Sequence, residues 1–271
     1  MNPEVPVPIR LAEIPRNVLE EVRERIWTYT ASVFAVDRAQ PLYVGTATCV
    51  AASGKAYLLT AAHVWCELRG NRFALSLESD RDLIAIYREL VQPTVLRPTV
   101  PPEWGPDLAL IELPDKVASD VRRAKAFYNL DKRRPKPGEQ PAYDQGLWAV
   151  IGAPEELSTF GETKAVLRVS LFASVVVSTC QRAGFDYVDL AYYHEGRSDL
   201  PQSYGGLSGS GLWHAPIRKS VSGAVSWTGE ARLEGVAFYQ KPIDKKEGVI
   251  RCNGRKTIYE QALRRTAQPR L

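Results

Sequence analysis

The chain has 271 residues and a formal net charge of +4, and 45% of its residues are hydrophobic and 24% charged. This composition is typical of a globular protein that buries one large core or two small ones, and it excludes disordered, collagen-like and coiled-coil chains. The longest nearly uncharged apolar runs, such as 171–177, are far shorter than the ~20 residues of a membrane-spanning helix. A charge this small is a weak reason to expect nucleic acid as a partner.

The first predicted helix lies near the N-terminus. Asn17 stands three residues before Glu20, a spacing typical of a capping box that opens a helix. Leu19, Val22 and Ile26 share one face of this helix. We therefore expect it to dock on the body of the protein through that face.

Short segments rich in β-branched and aromatic residues follow, separated by Gly, Pro, Asn and Asp. Two sets of them indicate an all-β protein with two barrels. The chain ends in a helical pattern at 257–266. The first set of predicted strands is 32–36, 43–50, 56–60, 73–77, 83–87 and 108–113, and the second is 147–151, 165–177, 187–193, 211–213, 233–239 and 248–251.

The predicted organisation is one domain built from five consecutive segments. A polar, basic connection with a helical stretch near 119–127 separates the two sets of strands. The segments are an N-terminal extension with a helix at 1–27, a first barrel at 28–115, the connection at 116–145, a second barrel at 146–254 and a C-terminal helix at 255–271.

Three segments contain residues that together fit acyl transfer. His63 follows an apolar strand, Asp107 precedes another, and Ser208 lies in a glycine-rich turn. A serine hydroxyl needs an imidazole to take its proton, and a carboxylate to orient and stabilise that imidazole. The backbone N–H groups of Gly206 and Ser208 are candidates for binding the oxyanion. Taken singly, these side chains fit a core histidine, a turn aspartate and a flexible serine turn equally well.

With these segments the sequence resembles the chymotrypsin-like serine peptidases. The resemblance lies in Thr-Ala-Ala-His ending at His63, in Asp-Leu-Ala-Leu-Ile starting at Asp107, and in Gly-Leu-Ser-Gly-Ser-Gly around Ser208. The three side chains come in the family's order, 44 and 101 residues apart. Non-secreted bacterial members without a PDZ domain are the most similar in organisation.

This resemblance implies two six-stranded antiparallel barrels, with a short N-terminal and a C-terminal helix. It implies a serine endopeptidase that forms an acyl-enzyme on Ser208, with His63 as the base, Asp107 orienting it, and the amides of Gly206 and Ser208 holding the oxyanion. Its expected partner is a peptide or protein substrate, and no cofactor is expected.

Leu207 departs from the family pattern. Secreted members commonly place an aspartate there, which pairs with a freshly cut N-terminus, and no Ile-Val-Gly-Gly-like terminus precedes the first barrel. We therefore expect no activation by that cleavage. The oxyanion turn then forms by itself or is ordered by an activating protein partner or the substrate. The alternative function is a latent or inactive peptidase-fold protein that acts as a binding or regulatory module.

The resemblance also assigns a substrate pocket, with no acid at its base to select Lys or Arg. Gln240 replaces a glycine that is usual in an open pocket, so a narrow pocket for small or medium apolar residues is expected. The insertion at 218–232 is expected to cover or regulate the site. The pocket residues are Gln202, Ser203, Phe238, Tyr239 and Gln240.

The N-terminal residues and the cysteines both bear on the compartment in which the protein is found. Residues 1–8 lack a basic segment leading into an apolar run, so no secretory signal is predicted and a cytoplasmic location is expected. Cys49 and Cys66 lie near the positions of a disulfide in secreted relatives, and free thiols are favoured in this compartment. The four cysteines have no CxxC spacing and histidines number three, so no metal site is predicted.

A third alternative, nucleic-acid binding, would use a basic run in the connection and a basic pair near the C-terminus. Acidic residues interleave with these, so a solvated surface is the favoured interpretation. The residues concerned are Lys132, Arg133, Arg134, Lys136, Arg264 and Arg265.

Overall fold

The computed structural model describes residues 10–36, 41–68, 70–77, 83–97, 104–136, 138–160, 165–193, 201, 203–220, 222–242 and 247–266. Helices are α1 Arg16–Trp27, α2 Ala62–Glu67, α3 Asp115–Arg122, and a π-helical turn Thr257–Ala262 that continues into α4 Leu263–Thr266. Strands of the first half are β1 Thr30–Ala35, β2 Leu42–Ala52, β3 Lys55–Thr60, β4 Arg72–Ser76, β5 Ile84–Tyr87, β6 Gln92–Leu96, β7 Leu108–Glu112 and β8 Tyr128–Asn129. Those of the second half are β9 Leu147–Gly152, β10 Thr159–Phe160, β11 Ala165–Val166, β12 Ser170–Ser174, β13 Val176–Arg182, β14 Phe185–Tyr193, β15 Gly211–Ala215, β16 Ile217–Lys219, β17 Val225–Trp227, β18 Arg232–Pro242 and β19 Glu247–Gly254.

The first large sheet curls into a barrel. Its strands are ordered β5-β4-β1-β2-β3-β7-β6, and β8 lies parallel to β2 beside this path. The two edge strands, β5 and β6, are joined by residues 88–91 alone. They therefore form one bent strand that belongs to both edges, and the barrel has six antiparallel strands.

The second large sheet closes in the same way. Its order is β12-β9-β15-β18-β19-β14-β13, and its edge strands β12 and β13 are separated only by Val175. The carbonyl of Val175 accepts a hydrogen bond of 3.1 Å from the amide of Ala191 in β14. The sheet again has six antiparallel strands, one of them bent, so the predicted all-β class with two six-stranded barrels is confirmed.

The largest hydrophobic cluster joins the two barrels with the helices at both ends of the chain. Trp213 of β15 is fully buried at its centre, stacked on Tyr29 at 5.4 Å between ring centroids and edge-on to Tyr128 at 5.2 Å. Ile26 of α1 and Ile258 of the π-helical turn belong to the same cluster. The terminal helices are thus parts of one core, not appendages.

The start of α1 differs from the capping-box prediction. The helix begins at Arg16 behind Pro15, without a side-chain cap, and Asn17 lies inside it and is exposed. Pro15 occupies the N-cap position with an extended backbone, φ −60° and ψ 146°, and its carbonyl accepts the first helical hydrogen bond, from the Leu19 amide at 3.1 Å. The buried face is Val18, Val22 and Ile26, with Leu19 at its margin.

Several strands lie outside the predicted segments. Pro93 interrupts the pattern of β6, yet it takes part in that strand's pairing with β7. The predicted strand 165–177 is divided into β11, β12 and β13, and exposed β13 carries a polar sequence. The predicted connection 116–145 contains α3 and also β8, which pairs with the first sheet.

The insertion at 218–232 contributes to a hairpin, β16 and β17, that packs on the N-terminal segment. Lys219 Nζ lies 3.0 Å from Glu13 Oε2, and Trp227 packs partly buried against the cluster that contains Ile26. These contacts connect the insertion with α1. Within the described part of the chain, no helix combines the length and the hydropathy that crossing a membrane requires.

Ile26→Ala should lower the free energy of unfolding by about 2–5 kcal/mol, because it removes buried methyl groups at the junction of α1 with both barrels. Urea denaturation measures this. Arg23→Ala, on the exposed face of the same helix, should change stability by no more than about 0.5 kcal/mol. Equal effects of the two substitutions would contradict the docking of α1 in the core.

Candidate active site

Antiparallel pairing of β3 with β7 brings His63 and Asp107 together. Thr60, at the end of β3, pairs with Ala109, near the start of β7. His63 follows β3 in α2, and Asp107 directly precedes β7. His63 Nδ1 lies 2.6 Å from Asp107 Oδ2, and the His63 backbone N–H donates to Asp107 Oδ1 at 2.9 Å.

Asp107 is held from the second barrel by Asn253 of β19. Asn253 Nδ2 donates to the Asp107 carbonyl at 2.8 Å, and its Oδ1 accepts from the Asp107 amide at 3.3 Å. Asn253 is fully buried and Asp107 is 6% exposed. The sequence did not point to Asn253, because a single asparagine in a strand gives no signal until its cross-barrel neighbour is known.

Opposing influences set the protonation of His63. Burial by itself lowers the pKa of the imidazole, while the hydrogen bond and charge of Asp107 and the charge of Glu67 raise it. The pKa lies above its ordinary value of 6.5 as a result. The carboxylate keeps the proton on Nδ1, which leaves Nε2 of the neutral ring as the acceptor for a proton.

Ser208 lies in the turn before β15, close to the helix that carries His63. The Ser208 carbonyl accepts a hydrogen bond of 2.9 Å from the amide of Thr46. A Cβ on Gly45 would be 2.8 Å from both the Ser208 carbonyl oxygen and a Val64 methyl, at a φ of +152°. Glycine at position 45 thus lets the turn and α2 approach each other. Among the described residues, no hydrogen bond joins Ser208 Oγ to His63.

The peptide before Gly206 is fixed by its carbonyl. Gly205 O accepts a hydrogen bond of 2.9 Å from the Glu155 amide. The Gly206 N–H of this trans peptide points the opposite way. The next carbonyl, Gly206 O, accepts hydrogen bonds from Tyr43 Oη at 2.7 Å and Thr46 Oγ1 at 2.9 Å. Both peptide planes around Gly206 are therefore held.

The peptide before Ser208 is fixed in the same manner. Leu207 O accepts a hydrogen bond of 2.9 Å from the Ser210 amide, so the Ser208 N–H points away from that contact. In the described part of the chain, neither the Gly206 nor the Ser208 N–H donates to a protein acceptor. Leu207 is 2% exposed and packs in the second-barrel core. Hydrophobic packing thus anchors the turn at the position where the family pattern has an aspartate.

The predicted pocket residues that the structure describes differ in their burial. Phe238 is 3% exposed, packs on Tyr187 at 6.1 Å between ring centroids, and lies against Gly105 of the loop before Asp107. Tyr239 is half-buried, and Ser203 is exposed beside the turn of Ser208. Gln202 lies outside the described residues.

Gln240 bridges two tyrosines where the resemblance implies an open pocket. Its Oε1 accepts a hydrogen bond of 2.8 Å from the Tyr204 amide, and its Nε2 donates to Tyr192 Oη at 3.0 Å. A side chain at Gly248 would collide with the same Tyr192 hydroxyl. Side chains therefore occupy the space beside Tyr204, which agrees with a narrow pocket.

The remaining candidate groups lie apart from this arrangement. Cys49 and Cys66 are free thiols, as are the other two cysteines, and burial raises the pKa of Cys49 to about 12. His214 is buried, stacks on Trp148 at 4.8 Å and hydrogen-bonds the Gln145 carbonyl at 3.0 Å. His194 lies outside the described residues. The described ranges contain no group of three or more His, Cys, Asp or Glu placed to hold a metal ion.

The chain has similar proteins among solved structures but no match by sequence. No protein-family model matches the chain, and no curated protein matches it. Among solved structures, Rv3671c from M. tuberculosis H37Rv, in the inactive form of a serine-to-alanine mutant, superposes with a TM-score of 0.50 at 13% identity. The match covers 97% of this chain and 100% of that one.

A second structure comes from work on coupled folding and binding of the intrinsically disordered Sesbania mosaic virus VPg protein. It superposes with a TM-score of 0.45 at 14% identity, over 85% of this chain and 88% of that one. The match to Rv3671c agrees with the two barrels described above in showing a chymotrypsin-like double-barrel fold. A likeness at this identity assigns no role to any residue.

Asp107→Asn should lower the pKa of His63, because the burial of the ring then acts without the opposing carboxylate charge. An NMR titration of the histidine rings measures this. His214, whose pKa is lowered by burial, serves as an internal reference, because its pKa should be the same in both proteins. An unchanged His63 titration would show that Asp107 is not ionised beside the ring.

Proposed function

We propose that this chain is a serine endopeptidase that hydrolyses peptide bonds through an acyl-enzyme on Ser208. The observation that supports this most directly is the His63–Asp107 pair at 2.6 Å, beside a turn in which two amides donate to no described acceptor. The proposed substrate is a peptide or protein, and the proposed chemistry needs no cofactor.

In the first half of the reaction, Ser208 Oγ attacks the scissile carbonyl carbon while its proton passes to His63 Nε2. The oxyanion accepts hydrogen bonds from the Gly206 and Ser208 N–H groups. His63 then donates the proton to the leaving amine as the C–N bond breaks. Water repeats the sequence on the acyl-enzyme, giving a carboxylic acid and restoring Ser208. Asp107 keeps His63 oriented and stabilises its charged form.

Activity without a cut N-terminus is part of this proposal. The bonds from Glu155 to Gly205 O and from Ser210 to Leu207 O orient the two oxyanion donors within the uncut chain. The buried Leu207 supplies the anchor that an ion pair supplies in secreted relatives. An activating protein partner would act on the approach of Ser208 to His63 instead, since that hydrogen bond is not formed among the described residues.

A latent peptidase-fold binding protein is the second candidate. Two observations favour it: the missing hydrogen bond between Ser208 and His63, and the occupation of the pocket by Gln240 and Tyr192. Apo sites often form their catalytic hydrogen bonds only when substrate is bound. The first observation therefore fits either candidate, and reactivity has to separate them.

Stoichiometric labelling by a fluorophosphonate probe is expected for the wild type and not for Ser208→Ala, because the probe reacts with an activated serine whose oxyanion site is formed. Intact mass reports both. Peptide turnover should fall by about 10⁶-fold in Ser208→Ala. Labelling should rise with pH through a midpoint above 6.5, since only neutral His63 accepts the proton and its pKa is raised.

Absence of labelling in both proteins would favour the latent candidate, and the assay would then be repeated with candidate partners. Labelling that persists in Ser208→Ala would place the reactive group elsewhere. Ser210→Ala is the matched control, because Ser210 lies two residues away and is fully buried, so its loss should leave the label on Ser208.

Gln240→Gly should broaden the residues accepted before the scissile bond from small or medium apolar ones to larger ones. The substitution removes the side chain that bridges Tyr204 and Tyr192. Profiling with a peptide library measures the change, and Lys241→Gly in the same strand is its control. A specificity profile that stays the same would show that Gln240 does not limit the pocket.

A further inference from the structure

A cavity of about 320 Å³ lies beside the loop that leads into Asp107. Its wall includes the indole of Trp104 and three arginines from separate parts of the chain. Arg97 follows β6, Arg182 ends β13, and Arg265 belongs to α4. All three arginines are exposed, and Trp104 is 38% exposed, so the cavity is open to a ligand. We call it the arginine pocket.

The charges of the arginine pocket are not balanced by the protein's described residues. None of its three arginines forms an ion pair with a described acid, and no described wall residue is acidic. The neighbouring Arg251 differs, because Asp189 binds it through two hydrogen bonds of 2.8 Å. Like charges that converge without a counter-charge repel one another, and an anionic ligand would relieve this repulsion.

Trp104 gives the arginine pocket an apolar surface in a fixed position. The guanidinium of Arg182 lies 4.4 Å from the centre of the indole ring, and that of Arg251 lies 5.3 Å from it. Leu96 and Phe185 add further apolar wall. A ligand that combines methylene groups with a carboxylate fits these surfaces, since guanidinium groups bind carboxylates in a planar, two-bonded geometry.

Residues of the arginine pocket lie near both members of the His63–Asp107 pair. Trp104 stands three residues before Asp107. Arg97 contacts the sulfur of Cys66, which lies on α2 with His63. Three residues of chain span at most about 10 Å, so Trp104 lies close to Asp107.

We propose that the arginine pocket binds an acidic side chain of the peptide substrate, at a fixed position away from the scissile bond. This inference rests on the proposed peptidase function and adds a substrate class to it: peptides that carry Asp or Glu at a fixed distance from the cleaved bond. The specificity residues are Arg97 and Arg182, with Trp104 supporting the methylene groups.

The test compares peptides that differ only by Glu or Gln at each position from three to five residues on either side of the cleaved bond. At one position, the wild type should cleave the Glu peptide about tenfold faster in kcat/KM, because the carboxylate gains a charge-assisted contact. This preference should shrink as salt rises from low to high ionic strength. In the double variant Arg97→Gln, Arg182→Gln, the ratio of Glu-peptide to Gln-peptide cleavage should fall to about one.

Arg23→Gln is the matched control, because Arg23 is an exposed arginine on α1, outside the arginine pocket. It should retain the full preference for Glu. Cleavage of both peptides at equal rates by the wild type would overturn the inference while supporting the peptidase function. A preference that persists in the double variant would overturn the assignment to this pocket.

Binding to Ser208→Ala separates the two proposals. Fluorescence anisotropy with the labelled Glu and Gln peptides measures affinity without turnover. Tighter binding of the Glu peptide, lost when the two arginines are also replaced, would support the arginine pocket even if the wild type cleaves neither peptide, and the peptidase function alone would then fail. Equal affinity for both peptides, independent of the arginines, would overturn the inference.

Discussion

The site depends on one buried residue, Asp107, whose side chain and backbone are hydrogen-bonded by different halves of the molecule. Asp107 receives the ring and backbone N–H groups of His63 within the first barrel, and its own peptide groups are bound by Asn253 of the second. A buried ionised carboxylate is costly unless such bonds satisfy it. The relative position of the two barrels is therefore coupled to the position of Asp107 and, through it, to that of His63.

The turn of Ser208 is held in place by other interactions than those that hold Asp107. Its peptide planes are fixed by hydrogen bonds to carbonyl oxygens, at Gly205 and at Leu207, and by the burial of the Leu207 side chain. These interactions lie within the second barrel, and Tyr43 and Thr46 of the first barrel add hydrogen bonds to the Gly206 carbonyl. Order in this turn thus comes from packing and local backbone bonds, which do not depend on a terminal amine or on pH near neutrality.

The sequence was sufficient for the fold class and for the pairing of His63 with Asp107, because both follow from local patterns: strand-like segments, and a His and an Asp next to strand ends. It was insufficient where the outcome depends on distant neighbours. Asn253 matters only opposite Asp107, β6 pairs with β7 although it contains Pro93, and Pro15 rather than Asn17 precedes the helix α1. The three arginines beside Trp104 are spread over more than 160 residues and meet only after the barrels and the C-terminal helix pack together.

The bent strands that close the two barrels also affect contacts between copies of this protein. One strand bends at residues 88–91 and another at Val175, so each margin of the two large sheets is a strand of only four to seven residues. Rows of unpaired amides and carbonyls at sheet margins are the usual templates on which β-rich proteins aggregate edge to edge. The rows at these margins are therefore short, and short edge strands limit edge-to-edge pairing between copies of a chain dominated by strands.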